Sequence, residues 1–503
     1  MNRWRILGLV ILAALLTWLA VRSLVPATPP PPPPPPQPVR EAFHPAKPLQ
    51  VIVQTAGDSA AAPITGPAWL DRELRHLLQR GKLNVAAPPV AQGTDAAANV
   101  FSLRVTQSAE GTRAELELIA PDSIVDKRAD IELPQDSSLA TMQALAQQLA
   151  VFLGAPSDAA GWSAALGTTD AAAYEAFLRS ADDWLGSDAA GFTAPPAATS
   201  DTTLKLERLE TLSRRHREFA RARALLSLAY LGVGGEDETS LTKLAETAAE
   251  RALSADAELA DARAALGIVG LRRMDWSAAQ EHFAAALALD AGSIAALEGL
   301  GCLLMDAGHV RGALPVAMRA AALQPGNRGA SECATYARIA TQTDTLGREA
   351  ETAETARIHA MMLLLAGDGT GADELLRSSG ADADGLARSV VAAGGSREKI
   401  PAALQAVTTS ADDEAIDAET EILFGVALKR ADFVFNRMLR LAKQNEAVPL
   451  RVLWLPQTEF LRKHRRFKEV VSAATLTTYW QDNGVPDICA SEPKVHGCAA
   501  QPK

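Results

Sequence analysis

The hydrophobic and polar positions of the chain follow three patterns, and the first is an uncharged run near the amino terminus. Residues 6–21 carry no charged side chain. The apolar run extends to residue 25 if the Arg22 side chain reaches the polar surface of a membrane. This length predicts a transmembrane anchor over residues 1–25. Arg3 and Arg5 predict a cytoplasmic amino terminus, with the bulk of the chain in the periplasm. A cleaved secretory signal is the alternative.

Prolines dominate the following segment, residues 26–47, and ten of them lie between Pro26 and Pro38. Such a run favours polyproline II, which rises about 3.1 Å per residue, so it predicts a semi-rigid linker. A docking site for a proline-binding module is the alternative interpretation.

The second pattern, over residues 48–155, mixes period-two alternation with helical spacing. It predicts a small α/β domain of order β-α-β-β-β-β-α. The predicted strands are 49–55, 83–86, 100–107, 114–119 and 129–133, and the predicted helices are 69–79 and 139–153. The turn at Glu110-Gly111 makes a hairpin of the third and fourth strands.

The third pattern is helical and fills residues 165–444, where the chain aligns with itself after a shift of 34 residues. The aligned pairs are Leu266 with Leu300, Gly267 with Gly301, Ala279 with Ala313, Ala286 with Ala320 and Leu289 with Leu323. Residues 275–276 and 309–310 fall at the turn inside each unit. A repeat of this length predicts pairs of antiparallel helices that stack into a solenoid.

The repeated residues resemble tetratricopeptide repeats, and the α/β pattern resembles the TolB amino-terminal-like domain, although Val53-Gln54-Thr55 replaces that family's usual Leu-Pro-Phe. Residues 445–503, with Tyr479-Trp480 and Pro486-Asp487, resemble the closing segment of membrane-associated winged-helix regulators and predict a helical cap and tail. With five residues before the apolar run, we expect no counterpart of the winged helix of those regulators. Together with the predicted anchor, the resemblance implies a mainly α fold: an α-solenoid preceded by a small α/β domain and a single transmembrane helix.

Composition and charge exclude some classes of fold and of binding partner. Of the residues 48% are hydrophobic but only 5% aromatic, and the formal net charge is −11. Small helix-favouring side chains argue against an all-β fold, and the negative charge argues against nucleic acid as a partner. The basic cluster at residues 462–468 is then best interpreted as a solvated helix face.

The repeats predict a concave partner-binding groove on the first helix of each pair. Its predicted residues are Asp261, Ala264, Ile268, Leu271 and Arg272 in one unit, and Ala295, Glu298, Cys302, Met305 and Asp306 in the next. They lack the lysine and asparagine clamp with which some family members hold a terminal carboxylate. A helix or extended segment with apolar anchors is therefore the expected ligand. The alternative is that these side chains pack only on their neighbours.

The four cysteines form two groups. Cys489 and Cys498 flank a short turn-rich loop, and an oxidising compartment would favour a disulfide between them. Free thiols, or a metal held with His496, are the alternatives, although three ligands fall short of the usual four. Cys302 and Cys333 lie on predicted helices, where we expect them to be small core residues.

No catalytic motif appears, so the sequence predicts neither an enzyme nor a cofactor or metal site. The leading hypothesis is a non-catalytic scaffold, anchored in the inner membrane, that binds a protein partner in the cell envelope. A sensory or regulatory module that signals to a separate cytoplasmic transcription regulator is the alternative. The oligomeric state and the identity of the partner are not encoded in any recognisable pattern.

Overall fold

The computed structural model describes residues 49–57, 67–86, 99–108, 111–120, 125–154, 159–186, 191–193, 195, 198–234, 238–342, 352–382, 385–413, 415–496 and 498. The predicted anchor (1–25) and proline-rich linker (26–47) lie outside these residues. Residues Ala42–Lys503 form one compact unit, so the segments predicted as an α/β domain and as repeats pack together.

The α/β segment contains a four-stranded sheet whose strands lie in chain order. The strands are β1 (Leu49–Gly57), β2 (Asn99–Ser108), β3 (Gly111–Ile119) and β4 (Val125–Leu133), and the helices are α1 (Pro67–Arg80) and α2 (Ser138–Leu153). β1 pairs with β2 in parallel, and the other neighbours pair antiparallel. The strand predicted at 83–86 is reduced to one bridge, between Val85 and Leu49.

The two faces of the sheet differ as the alternation predicts. Phe101 and Leu103 of β2 and Leu116 of β3 are fully buried in the core. On the other face Arg128 forms an ion pair with Glu115, which also lies 3.8 Å from Arg104. One face is therefore packed and the other polar.

Helices fill most of the remaining chain. They are α3 (Ala159–Ala164), α4 (Ala171–Leu185), α5 (Ser200–Arg215), α6 (Ala220–Leu231), α7 (Glu238–Ala255), α8 (Ala260–Arg272), α9 (Trp276–Leu289), α10 (Ile294–Asp306), α11 (Val310–Leu323), α12 (Arg328–Ala340), α13 (Ala353–Leu365), α14 (Gly369–Ser379), α15 (Leu386–Gly394), α16 (Ile400–Asp412), α17 (Ala418–Ala427) and α18 (Ala431–Gln444). α10 begins and ends 34 residues after α8, and α11 begins and ends 34 residues after α9. α12 in turn begins and ends 34 residues after α10.

Small residues permit the close helix packing in these repeats. A Cβ atom at Gly267 or at Gly299 would lie about 2.5 Å or less from the ring of Phe283, which is itself fully buried. One aromatic ring thus fills the space between two successive first helices because both lack a side chain there. This packing explains why the repeats need few aromatic residues.

The carboxyl-terminal segment packs on the repeats through its tryptophans and its backbone. It contains α19 (Glu459–Arg462), α20 (Phe467–Ala473) and α21 (Leu476–Asn483), with 3-10 helices at Arg451–Trp454, Pro456–Thr458 and Asp487–Ala490. Trp480 donates a hydrogen bond from Nε1 to the Ala307 carbonyl (2.9 Å), and Trp276 donates one to the Ala474 carbonyl (2.6 Å). The interpretation of 462–468 as a solvated face fails at Arg462, whose buried guanidinium pairs with Glu492.

The membrane-spanning part of the predicted fold class needs correction. Among the helices in the ranges given above, none is long and apolar enough to cross a membrane. This finding does not fit the expected single-pass inner-membrane protein, so the fold is described as mainly helical with a small four-stranded sheet near the amino terminus.

Candidate functional site

The predicted groove is not an open surface in the structure. Nine of its ten residues are at most 9% exposed, and only Asp261 is half-buried. The nine buried residues are Ala264, Ile268, Leu271, Arg272, Ala295, Glu298, Cys302, Met305 and Asp306. The burial favours the interpretation that most of these side chains pack on their own chain, whereas partner binding by them stays a prediction.

Glu298 of α10 holds a short segment of the chain, residues 191–193, against the repeats. Its Oε1 accepts hydrogen bonds from the Phe192 backbone N–H (2.8 Å), the Thr193 backbone N–H (2.6 Å) and the Thr193 hydroxyl (2.7 Å). Its Oε2 accepts one from Asn327 Nδ2 (2.7 Å). The buried carboxylate is thereby satisfied by residues 192–193 and by Asn327 of the same chain.

Gly191 allows that segment to approach so closely. Its φ is +93°, and a Cβ atom there would lie 2.3 Å from Asn327 Oδ1. Arg272 contacts the same segment from α8, donating hydrogen bonds from Nη2 to the Leu231 carbonyl (2.7 Å) and the Phe192 carbonyl (3.4 Å). The middle of the predicted groove is therefore filled from within the molecule.

Asp306, at the end of α10, receives a different segment. Its carboxylate accepts hydrogen bonds from the backbone N–H groups of Leu450 (3.1 Å) and Arg451 (2.8 Å), and it pairs with the Arg451 guanidinium. Trp454 donates to the Asp306 carbonyl (2.8 Å). The carboxyl-terminal segment thus covers this end of the predicted groove.

The cysteines correct one prediction. Cys302 and Cys333 are buried as expected, but they form a disulfide that joins α10 to α12, with Cα atoms 5.4 Å apart. Cys489 and Cys498 form a second disulfide, with Cα atoms 5.1 Å apart. In the described ranges no group of three or more histidine, cysteine, aspartate or glutamate side chains is placed to hold a metal ion.

A cavity of about 810 Å³ opens beside the filled part of the groove. Its walls come from α1 and the loop after it, from the carboxyl end of α4, from α6, and from the turns that lead into α8 and α10. Two of the predicted groove residues, Asp261 and Ala295, line it. Its volume lies within the usual range for ligand pockets, which is roughly 300–1,000 Å³.

One wall is fixed by an ion pair between the α/β segment and the repeats. Glu73 of α1 is fully buried and accepts two hydrogen bonds from Arg221 of α6 (2.6 and 2.9 Å) and one from the Tyr174 hydroxyl of α4 (2.6 Å). The Arg221 guanidinium also lies 4.7 Å from the centroid of the Phe177 ring. Three helices that are distant in sequence are therefore held together behind the cavity.

The electrostatics of that wall follow from burial and charge pairing. Burial raises the pKa of Glu73, but Arg221 outweighs it and lowers that pKa to about 2. Burial, followed by Arg221, lowers the pKa of His76 to about 3. At neutral pH the wall therefore carries an ionised Glu73–Arg221 pair and a neutral His76.

The rim of the cavity is built from ion pairs between the end of α1 and the loop before α8. Arg80 pairs with Asp256 (2.5 Å) and Glu258 (3.0 Å), and Lys82 pairs with Glu258 (2.5 Å). Gln79 donates a hydrogen bond from Nε2 to Asp290 Oδ1 (2.9 Å). These contacts join α1 and the loop after it to the repeats at the mouth of the cavity.

Fold and site together define a helical repeat protein of tetratricopeptide-like architecture. A small α/β segment precedes the repeats, and its helix α1 forms one wall of a pocket on them. The likeness to the TolB amino-terminal-like domain stays a prediction. No family model and no curated protein sequence matches the chain.

Two solved structures are similar to parts of the chain. Pseudomonas aeruginosa PilF is 21% identical over 45% of this chain and 93% of that one, with a TM-score of 0.26. A structure of Naa15/Naa10 bound to HypK-THB is 15% identical over 63% of this chain, with a TM-score of 0.23. The match spans 48% of the latter's chain, about half its length. TM-scores this low carry no argument, so the repeat architecture rests on the helix bounds above.

Proposed function

We propose that the protein is a non-catalytic scaffold and that a segment of a protein partner enters the cavity beside α1. The observation that carries the proposal is the cavity itself, which lies next to a predicted groove that the chain fills with its own segments. Helical repeats commonly present such concave surfaces to other proteins.

The lining suits a peptide segment. Apolar side chains, among them Phe177, Leu259, Leu287 and Ile294, make up about half of the lining, and polar or charged side chains make up most of the rest. Ligand pockets bind by burying side chains against apolar walls and use placed polar groups for orientation.

The site is also preorganised. The Glu73–Arg221 pair and the rim ion pairs fix its walls before any partner arrives. Walls that are already ordered reduce the entropic cost of binding, so a short segment is sufficient to give useful affinity.

Blocking the cavity tests the proposal. Ala288 of α9 is exposed and lines the cavity, so Ala288→Trp adds bulk at the mouth without disturbing the core. We expect affinity capture from chemically crosslinked cells that produce the full chain to recover a defined partner, and Ala288→Trp to reduce its recovery at least tenfold.

Ala284→Trp is the matched control, because Ala284 is exposed one turn earlier on α9 and does not line the cavity. This variant should recover the partner as the native chain does, and both variants should unfold at the native temperature. Equal recovery by the two variants would contradict the proposal.

A further inference from the structure

We propose that the cavity selects a cationic side chain, lysine or arginine, that lies between apolar residues of an extended partner segment. The inference rests on the proposed function, since it names the chemistry of the segment that enters the same cavity. It follows from the balance of charge around the lining and from the apolar walls beside it.

The cations that line the cavity already have anionic partners. Arg221 pairs with Glu73, and Arg80 and Lys82 pair with acidic residues of the loop before α8, as described above. The remaining pairs are Arg72 with Asp182 and Arg75 with Asp71. Each of these basic groups therefore already has an acidic partner within 3.0 Å.

Two carboxylates that line the cavity have no such cationic partner among the described residues. In the described part of the chain, neither Asp261 nor Asp290 forms an ion pair within 4.0 Å. Gln79 and the Gly292 backbone N–H orient Asp290 through Oδ1 (both 2.9 Å). Asp261 lies at the start of α8 and is half-buried. The cavity therefore presents an excess of negative charge.

The raised pKa of Asp261 agrees with this excess of negative charge. Burial and the neighbouring Asp290 raise the pKa of Asp261 to about 6, although Arg221 and Arg72 act in the opposite direction. A cation placed between the two carboxylates would relieve their repulsion, and their attraction for it is strengthened by partial burial.

The apolar walls explain why a side chain suits the cavity better than a small hydrated ion. Leu259, Leu287 and Ile294 line the cavity together with the two carboxylates. The methylene stem of a lysine or arginine packs on such surfaces while its charged head reaches the carboxylates. Flanking apolar residues of the same segment would fill the remaining space.

A peptide series provides the test. Calorimetric titration of the full chain at pH 7.5 would use acetyl-Ala-Leu-Xaa-Leu-Ala-amide, with lysine, arginine, norleucine or glutamate as Xaa. Norleucine keeps the four-carbon stem of lysine and removes the charged amino group. We expect the lysine and arginine peptides to bind at least tenfold more tightly than the norleucine peptide, and the glutamate peptide to bind most weakly.

Variants then assign the preference to the two carboxylates. In Asp261→Asn combined with Asp290→Asn, the ratio of lysine to norleucine affinity should fall to about one, while norleucine binding is unchanged. Glu250→Gln combined with Glu281→Gln is the control, because it removes the same charge from exposed positions on α7 and α9 that do not line the cavity. It should keep the native ratio.

The outcomes separate the two claims. Equal native binding of the lysine and norleucine peptides would overturn the cation preference but leave a peptide-binding cavity. An unchanged ratio in the double asparagine variant would overturn the assignment to Asp261 and Asp290. Binding of none of the four peptides, together with unchanged partner recovery by Ala288→Trp, would overturn the proposed function and the inference with it.

Discussion

Arg221→Met is expected to destabilise the protein by about 3–5 kcal/mol, because it leaves the Glu73 carboxylate buried without its cation. Among the described residues, the Tyr174 hydroxyl still donates a hydrogen bond to this carboxylate. Urea unfolding of the full chain, followed by circular dichroism, measures the loss. The variant also removes the ion pair that joins α1 to α6 behind the cavity.

Two controls isolate the buried charge. Arg273 and Glu246 form a similar two-bond pair (both 2.6 Å) on the surface, and Arg273→Met should cost less than about 1 kcal/mol. Combining Arg221→Met with Glu73→Leu removes both charges and should restore part of the stability. A cost for Arg221→Met no greater than that for Arg273→Met would contradict this account.

The shifted pKa values of Glu73 and His76 in the same wall predict that the stability of the protein depends on pH. The folded-state pKa of Glu73 (about 2) lies below its ordinary 4.5, and that of His76 (about 3) lies below its ordinary 6.5. The unfolded chain therefore binds more protons over these intervals, so the free energy of unfolding should fall as pH drops from about 6.5 towards 2. Loss of Arg221 should weaken the part of this dependence that belongs to Glu73.

Removing the disulfide between Cys302 and Cys333 is expected to cost about 3–4 kcal/mol in the loop-entropy model, since the bond closes a loop of 31 residues. It joins two successive first helices, so its loss should loosen the register between neighbouring repeats. The measurement is the free energy of unfolding before and after reduction.

The second disulfide must be removed beforehand so that reduction reports on one bond. In Cys489→Ala combined with Cys498→Ala, the remaining cysteines are Cys302 and Cys333. Reduction of this variant should lower the free energy of unfolding without any change in side-chain volume. An unchanged value, with two free thiols confirmed by titration, would contradict the prediction.

Local periodicity made the elements predictable. The alternation of β2 and β3, with the turn between them, specifies a hairpin, and the 34-residue register specifies the bounds of α8 to α12. The predicted strand at 83–86 failed because four residues are too few for an alternating pattern to distinguish a strand from a single bridge.

That segments of the same chain fill the predicted groove was not predictable from local periodicity. Residues 191–193 have no periodic pattern, and their contact with Glu298 crosses more than a hundred residues. The Glu73–Arg221 pair joins residues 148 apart. Such contacts depend on the tertiary arrangement rather than on local sequence, so the cavity that they shape was also missed.

The Cys302–Cys333 pairing did leave a signal in the sequence. The separation of 31 residues is one helical turn less than the 34-residue repeat. Two residues so related lie on successive first helices about one turn apart, where their side chains are able to meet. Combining the repeat register with the cysteine spacing would have indicated the bond.

The chain itself closes the predicted groove and leaves the cavity as its open part, and thiol labelling distinguishes this arrangement from an open groove. The structure has no free cysteine among its described residues, so Ala264→Cys or Ala288→Cys each introduces one reactive thiol. Ala264 is fully buried in the groove, whereas Ala288 is exposed at the cavity. A maleimide should react with the thiol at 288 at least a hundredfold faster than with that at 264, until denaturant is added. Equal rates in the native chain would contradict the account, because they would show an open groove.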